Sequence, residues 1–131
     1  MQPLKLAILV YENCTASMVL GVLDILSLAN AQGGQPIFDL EIISENGQPI
    51  RSFSRFAIQP DHDFSAGGQY DAVYVPGFVG DAAEVLWSNQ HAVDWLKKQY
   101  GGGSVLTAAC NGNYLLAATG LLDGKRATWS T

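Results

Sequence analysis

Residues 4–11, LKLAILVY, form a nearly continuous apolar run, and only a strand covered on both faces can be apolar on both sides. A chain that begins this way needs helices above and below a largely parallel sheet. The sequence supplies them. After a short loop at residues 12–15, Met18, Val22, Ile25 and Ala29 mark one helical face and Val19, Leu23 and Leu26 another, so the helix is apolar over most of its circumference. Its second apolar surface asks for a further partner, for which another subunit is one candidate. Gly33 and Gly34 stop the helix, and residues 37–43, IFDLEII, read as the next strand.

The alternation continues. Glu45-Asn46-Gly47 signals a turn, and the polar alternation of residues 50–58 suits a hairpin or an edge strand. Arg51 and Arg55 fall there, either as solvated edge charges or as clamps for a ligand. Residues 71–75, DAVYV, are a short buried strand running into Pro76-Gly77-Phe78-Val79-Gly80, which is either a plain turn or a place where backbone amides approach a ligand. Residues 82–87 and 91–100 read as helical, with Asp94 and Lys98 as an outward i,i+4 pair. Alternating strands and helices predict an α/β sandwich with a mostly parallel sheet and helices on both faces.

Residues 104–120, SVLTAACNGNYLLAATG, carry the chemistry. The apolar run at 104–109 predicts a buried strand, and Tyr114, Leu115, Ala118 and Leu121 recur at helical spacing. Cys110 therefore sits at a strand-to-helix corner, facing a helix N-terminus that favours an anion and so a thiolate. This resembles a nucleophile elbow with Cys in place of Ser and without the full glycine signature. The competing reading is an inert core thiol, since cysteine is among the most buried residue types. In parallel sheets ligands bind beyond the carboxyl ends of the strands, and Cys14, residues 76–78 and Cys110 all lie at such ends.

Composition excludes several functions. With 7 Lys and Arg against 12 Asp and Glu, a net charge of −5, the chain has no basic stripe to neutralise a phosphate backbone. Two cysteines are too few for a disulfide scaffold, and no signal-peptide pattern precedes the first strand, so a cytoplasmic location is the default expectation. The apolar stretch at 18–31 is too short to cross a bilayer. His62 and His91 are isolated and have no metal-ligand spacing, so neither a metal nor a cofactor is expected.

VYVPGF at 73–78 followed by LTAACNGNYLLAATGLLDGKRAT at 106–128 resembles the ThiJ/PfpI family of the class I glutamine amidotransferase-like superfamily. AATGLLDGKRAT is most similar to the amidotransferase-like N-terminal domains of AraC-type transcriptional regulators. The resemblance implies one ThiJ/PfpI domain over residues 1–131, a flavodoxin-like sandwich, commonly dimeric, with Cys110 at the elbow and the amides of Gly77 and Phe78 facing it. It also implies an acidic side chain early in the first helix, where this chain has Met18. A His after the Cys, found in protease-like members, is replaced by Asn111, and residues 128–131 lack the His that other members carry. Glu12 and Asp24 are the nearest carboxylates in sequence.

Two functions follow as expectations. In the first, the chain is the ligand-sensing part of an AraC-type regulator that binds a small metabolite without converting it. Cys110 then lies at the pocket floor, the backbone amides of Gly77, Phe78 and Asn111 are candidate anion donors, Met18 forms an apolar wall, Gly112 also lines the pocket, and DNA is reached only through a domain outside this chain. The second is a cysteine-dependent hydrolase, hydratase or glyoxalase-like enzyme, which needs a carboxylate or imidazole beside Cys110. A Cys14–Cys110 redox pair is a third possibility. The residues ending at Thr131 are expected to be a truncated form of the family's domain, which continues for further strands and helices.

Overall fold

The computed structural model describes residues 2–121. Asp123-Gly124, which reads as a turn, and residues 126–130, which read as a new extended segment, lie outside the described residues. Four parallel strands form the sheet, in the order β2-β1-β5-β6: β1 is Leu4–Leu9, β2 Phe38–Ile43, β5 Ala72–Val75 and β6 Val105–Ala108. β1 and β5 lie in the middle, and Ala7, Ile8, Leu9, Val73 and Val75 in them are all buried. β3 (Ile50–Arg51) and β4 (Ala57–Ile58) form a separate antiparallel hairpin, one of the two forms the alternation there allows.

Helices cover both faces, as two-sided apolar strands require. α1 (Ala16–Gln32) lies over one face, where Val22 and Leu26 line a gap with Leu6, Ile8, Tyr74 and Thr107. α3 (Gln90–Gly101) and α4 (Asn113–Ala118) meet over the other; Leu96 and Leu115 are fully buried. α2 (Ala82–Ser88) leads into α3. The broad apolar circumference of α1 is visible as exposure: only Val19 is buried outright, while Ile25 is 68% and Leu28 60% exposed.

Two expectations need correction. β6 is not a buried strand; it is the edge strand of the described sheet, its residues alternate between exposed and half-buried, and Val105 is 61% exposed. A run of apolar letters reports only that a strand is apolar, not how many neighbours it has. Asp94 and Lys98 are both exposed and make no ion pair among the described residues, where the pairs are His62–Glu41 and His91–Glu45. An exposed pair on a helix gains little in water, so nothing holds it closed.

The direction in which strands are added to the sheet reverses between β1 and β5. β1 connects outward to β2 on one side, and β5 to β6 on the other, so the crevice between their carboxyl ends is the topological switch point. The loops that follow β1, β5 and β6 meet there.

Candidate functional site

Three backbone segments are laced together at this crevice. Cys14 and Phe78 form an antiparallel bridge; Thr15 N donates to Gly77 O at 2.8 Å, and Val79 N donates to Asn13 O at 3.1 Å. The β3–β4 hairpin is tied on from outside, with Phe53 N donating to Cys14 O and Asn13 N donating to Arg51 O. Asn13 reaches this geometry at φ +67°, in the left-handed region that Asn tolerates better than most residues. Arg51 and Arg55 belong to this brace and are both exposed.

Cys110 occupies the corner expected for it. Ala109 is still extended, Cys110 turns to φ +52°, and a 3-10 turn over Cys110–Gly112 passes directly into α4. The thiol-bearing residue is exposed, which removes the core-thiol reading; Cys14 is the buried one, and burial pushes its thiol upward in pKa. Neither forms a disulfide among the described residues. Holding a non-glycine residue in the left-handed region costs about 1–2 kcal/mol. Cys110→Gly should therefore be about 1 kcal/mol more stable than Cys110→Ala, which keeps the strain, and urea denaturation of the two variants measures the difference.

The corner can form only because residue 112 has no side chain. A Cβ on Gly112 would stand 2.6 Å from Val75 O and 2.7 Å from Pro76 O, so the turn packs directly on the end of β5. Cys-Asn-Gly thus keeps the second glycine of an elbow, while the position two before the Cys is Ala108.

Gly77 is where the predicted site residues converge. A Cβ there would lie 2.8 Å from Asn111 Oδ1, 3.1 Å from Met18 Sδ and 3.2 Å from Cys110 Cβ. The amides of Gly77 and Phe78, expected to face a ligand, already have partners. Gly77 N donates to Met18 Sδ at 3.3 Å, and Phe78 N donates to Asn111 Oδ1 at 2.8 Å. Asn111 Nδ2 in turn donates to Phe78 O at 2.9 Å, so one side-chain amide satisfies both backbone groups of Phe78. Of the two carboxylates close in sequence, Glu12 accepts the amide of Arg51 at 3.1 Å and Asp24 is exposed on α1.

The aromatic surround was not foreseen. Phe78 is buried between Tyr11 and Tyr114, at ring separations of 6.4 Å and 6.3 Å. Tyr11 donates its hydroxyl to Pro76 O, tying the first strand's end to the residue before Gly77. Its place at the end of the first apolar run, at a strand's carboxyl end, was the signal available. Burial pushes the Tyr11 phenol far above its usual range, with Cys14, Tyr74 and Cys110 adding to the effect. An unfolded tyrosine ionises near pH 10, so the folded state binds one more proton above that pH and stability falls as pH rises. Tyr11→Phe should remove up to about 1.4 kcal/mol per pH unit of this alkaline loss, read from urea midpoints above about pH 10.

Among the described residues no group of three or more His, Cys, Asp or Glu side chains could hold a metal ion, and no helix is long and apolar enough to cross a membrane.

The comparisons agree with this fold. The sequence pattern of the DJ-1/PfpI family matches residues 7–131. The transcriptional regulator GbdR of Pseudomonas aeruginosa is 30% identical over 93% of this chain, which spans 32% of that protein. The isonitrile hydratase of Pseudomonas putida is 26% identical over 81% of this chain and 46% of its own length. Of solved structures, an AraC family transcriptional regulator from Pseudomonas putida superposes with a TM-score of 0.77 at 18% identity, covering 97% of this chain and 66% of that one. The chain thus spans a third to two thirds of these three proteins, which include a regulator and an enzyme at comparable identity. With the family pattern running from the first strand through the Cys110 corner, the chain belongs to the DJ-1/PfpI family.

Proposed function

We propose that this domain binds a small molecule without converting it, as the sensing part of an AraC-type transcriptional regulator. The observation that carries the reading is the state of the two amides after Pro76: Met18 and Asn111 take the N–H groups of Gly77 and Phe78. Acyl and related transfers draw much of their rate from preorganised donors aimed at the developing oxyanion, and removing one such donor typically costs ~10²–10³ in kcat. Met18 adds to this, because a thioether neither delivers nor removes a proton. Cys110, Met18, Gly77, Phe78, Asn111 and Gly112 then frame a binding pocket. The likeness to GbdR and to the AraC family structure supports the regulatory context.

The apolar face of α1, with Leu20, Ile25 and Leu28 exposed, supports a homodimer as the working unit. DNA contact would come from a separate domain, because this chain carries a net charge of −5. The test is to titrate the full-length gene product with metabolites of different classes while measuring its affinity for operator DNA. A ligand-dependent change supports the reading, and constant affinity across all classes contradicts it.

The enzyme reading is favoured by one feature, the exposed cysteine held at φ +52°. Strained residues cluster at active sites and at ligand clamps alike.

A further inference from the structure

The three polar contacts at Gly77, Phe78 and Asn111 decide what chemistry the pocket can recognise. A carboxylate or phosphate is held in a protein by donors, and a pocket without charged donors must provide them from backbone amides. Two of the amides at the switch point, those of Gly77 and Phe78, donate to side chains of the same chain. The closure at Phe78 is two-sided. Asn111 offers Oδ1 to the amide and Nδ2 to the carbonyl of one residue, at 2.8 and 2.9 Å, which is the pattern a neighbouring strand would provide. An incoming anion would have to break both bonds, leaving the carbonyl oxygen of Phe78 without its donor. An uncharged ligand demands no such exchange.

We infer that Asn111 is a specificity-determining residue that closes the amide of Phe78 against oxyanions, so a carboxylate or phosphate loses this donor at the site while an uncharged ligand of the same shape does not. The inference rests on the reading of this site as a binding pocket and adds the class of molecule it disfavours. Met18 has the same effect at Gly77 in weaker form, because sulfur is a poor acceptor and its contact is longer, 3.3 Å. Gly77 keeps the latch in place: its missing side chain lets Asn111 Oδ1 and Met18 Sδ approach to distances that a Cβ would block.

Acetate and its uncharged isostere acetamide test this on the full chain, with the amide resonances of Gly77 and Phe78 followed by 15N–1H NMR. In the wild-type chain acetate should produce no saturable shift at Phe78, and the Phe78 amide should exchange with solvent slowly. In Asn111→Ala acetate should shift the Phe78 resonance saturably, with affinity raised about tenfold or more, the low end for a hydrogen bond to a charged group. Acetamide should bind the two proteins alike, within about twofold. Asn111→Asp, which keeps an acceptor for the amide but adds a negative charge, should remain closed to acetate, and it provides the comparison if Asn111→Ala folds poorly. Saturable acetate binding at Phe78 in the wild type, fast exchange of that amide, or no gain in Asn111→Ala would overturn the inference. The readout needs neither DNA nor turnover, so a protein that fails as a regulator can still show the closed amide, and a regulator can still show an open one.

Discussion

Gly112→Ala is expected to destabilise the domain by about 3 kcal/mol or more, the largest single effect of any substitution at the site. The added methyl would meet two carbonyl oxygens and a carbonyl carbon of Val75 and Pro76, at 2.6, 2.7 and 3.1 Å. All three are backbone atoms at the end of a central strand, and they cannot swing aside as a side chain can. Either the turn at Cys110–Gly112 lifts off β5 or β5 shifts against β1, and both break bonds that hold the corner, among them Ala109 N to Val75 O at 3.0 Å. The unfolding midpoint in urea, with its slope, checks this; a midpoint unchanged from the wild type would mean the corner is looser than drawn.

Asn111→Ala should cost about 2–3 kcal/mol. It removes two hydrogen bonds and leaves the N–H and C=O of Phe78 in a part-buried position without their partner. The effect should couple to residue 77. Gly77→Ala alone pushes a methyl against Asn111 Oδ1, but in Asn111→Ala that obstacle is gone. The double variant should be more stable than the sum of the singles requires, by about 1 kcal/mol in a double-mutant cycle. Simple additivity would show that the two residues do not touch.

The sheet was legible because its signal is one-dimensional. Residues 4–11, 37–43 and 71–75 are apolar runs bounded by turn residues, and each contains an observed strand, β1, β2 and β5. Alternation narrowed residues 50–58 to a hairpin or an edge strand, and the structure has the hairpin of Ile50–Arg51 with Ala57–Ile58. Strand order and edge exposure were not legible, which is why β6 was expected to be buried: its letters match those of a central strand, while its neighbour count depends on the whole topology.

At the site, Cys110 was placed correctly at a corner because an apolar run and a helical period meet there. Met18 was identified by its place in the first helix, and it does lie against Gly77. The engaged amides were not legible. They depend on the rotamer of Asn111 and on a bridge between Cys14 and Phe78, 64 residues apart in the chain, and no spacing rule encodes either. Tyr11 was read only as the end of a strand; its buried hydroxyl bond to Pro76 O is a tertiary contact.

Turnover tests the central claim most directly, because it separates a pocket that binds from one that converts. The full chain and Cys110→Ala should be assayed side by side on isonitriles, the class named by the related hydratase of Pseudomonas putida. The account predicts rates that match each other and the uncatalysed background. A rate well above background that disappears in Cys110→Ala would contradict it and make this domain an enzyme.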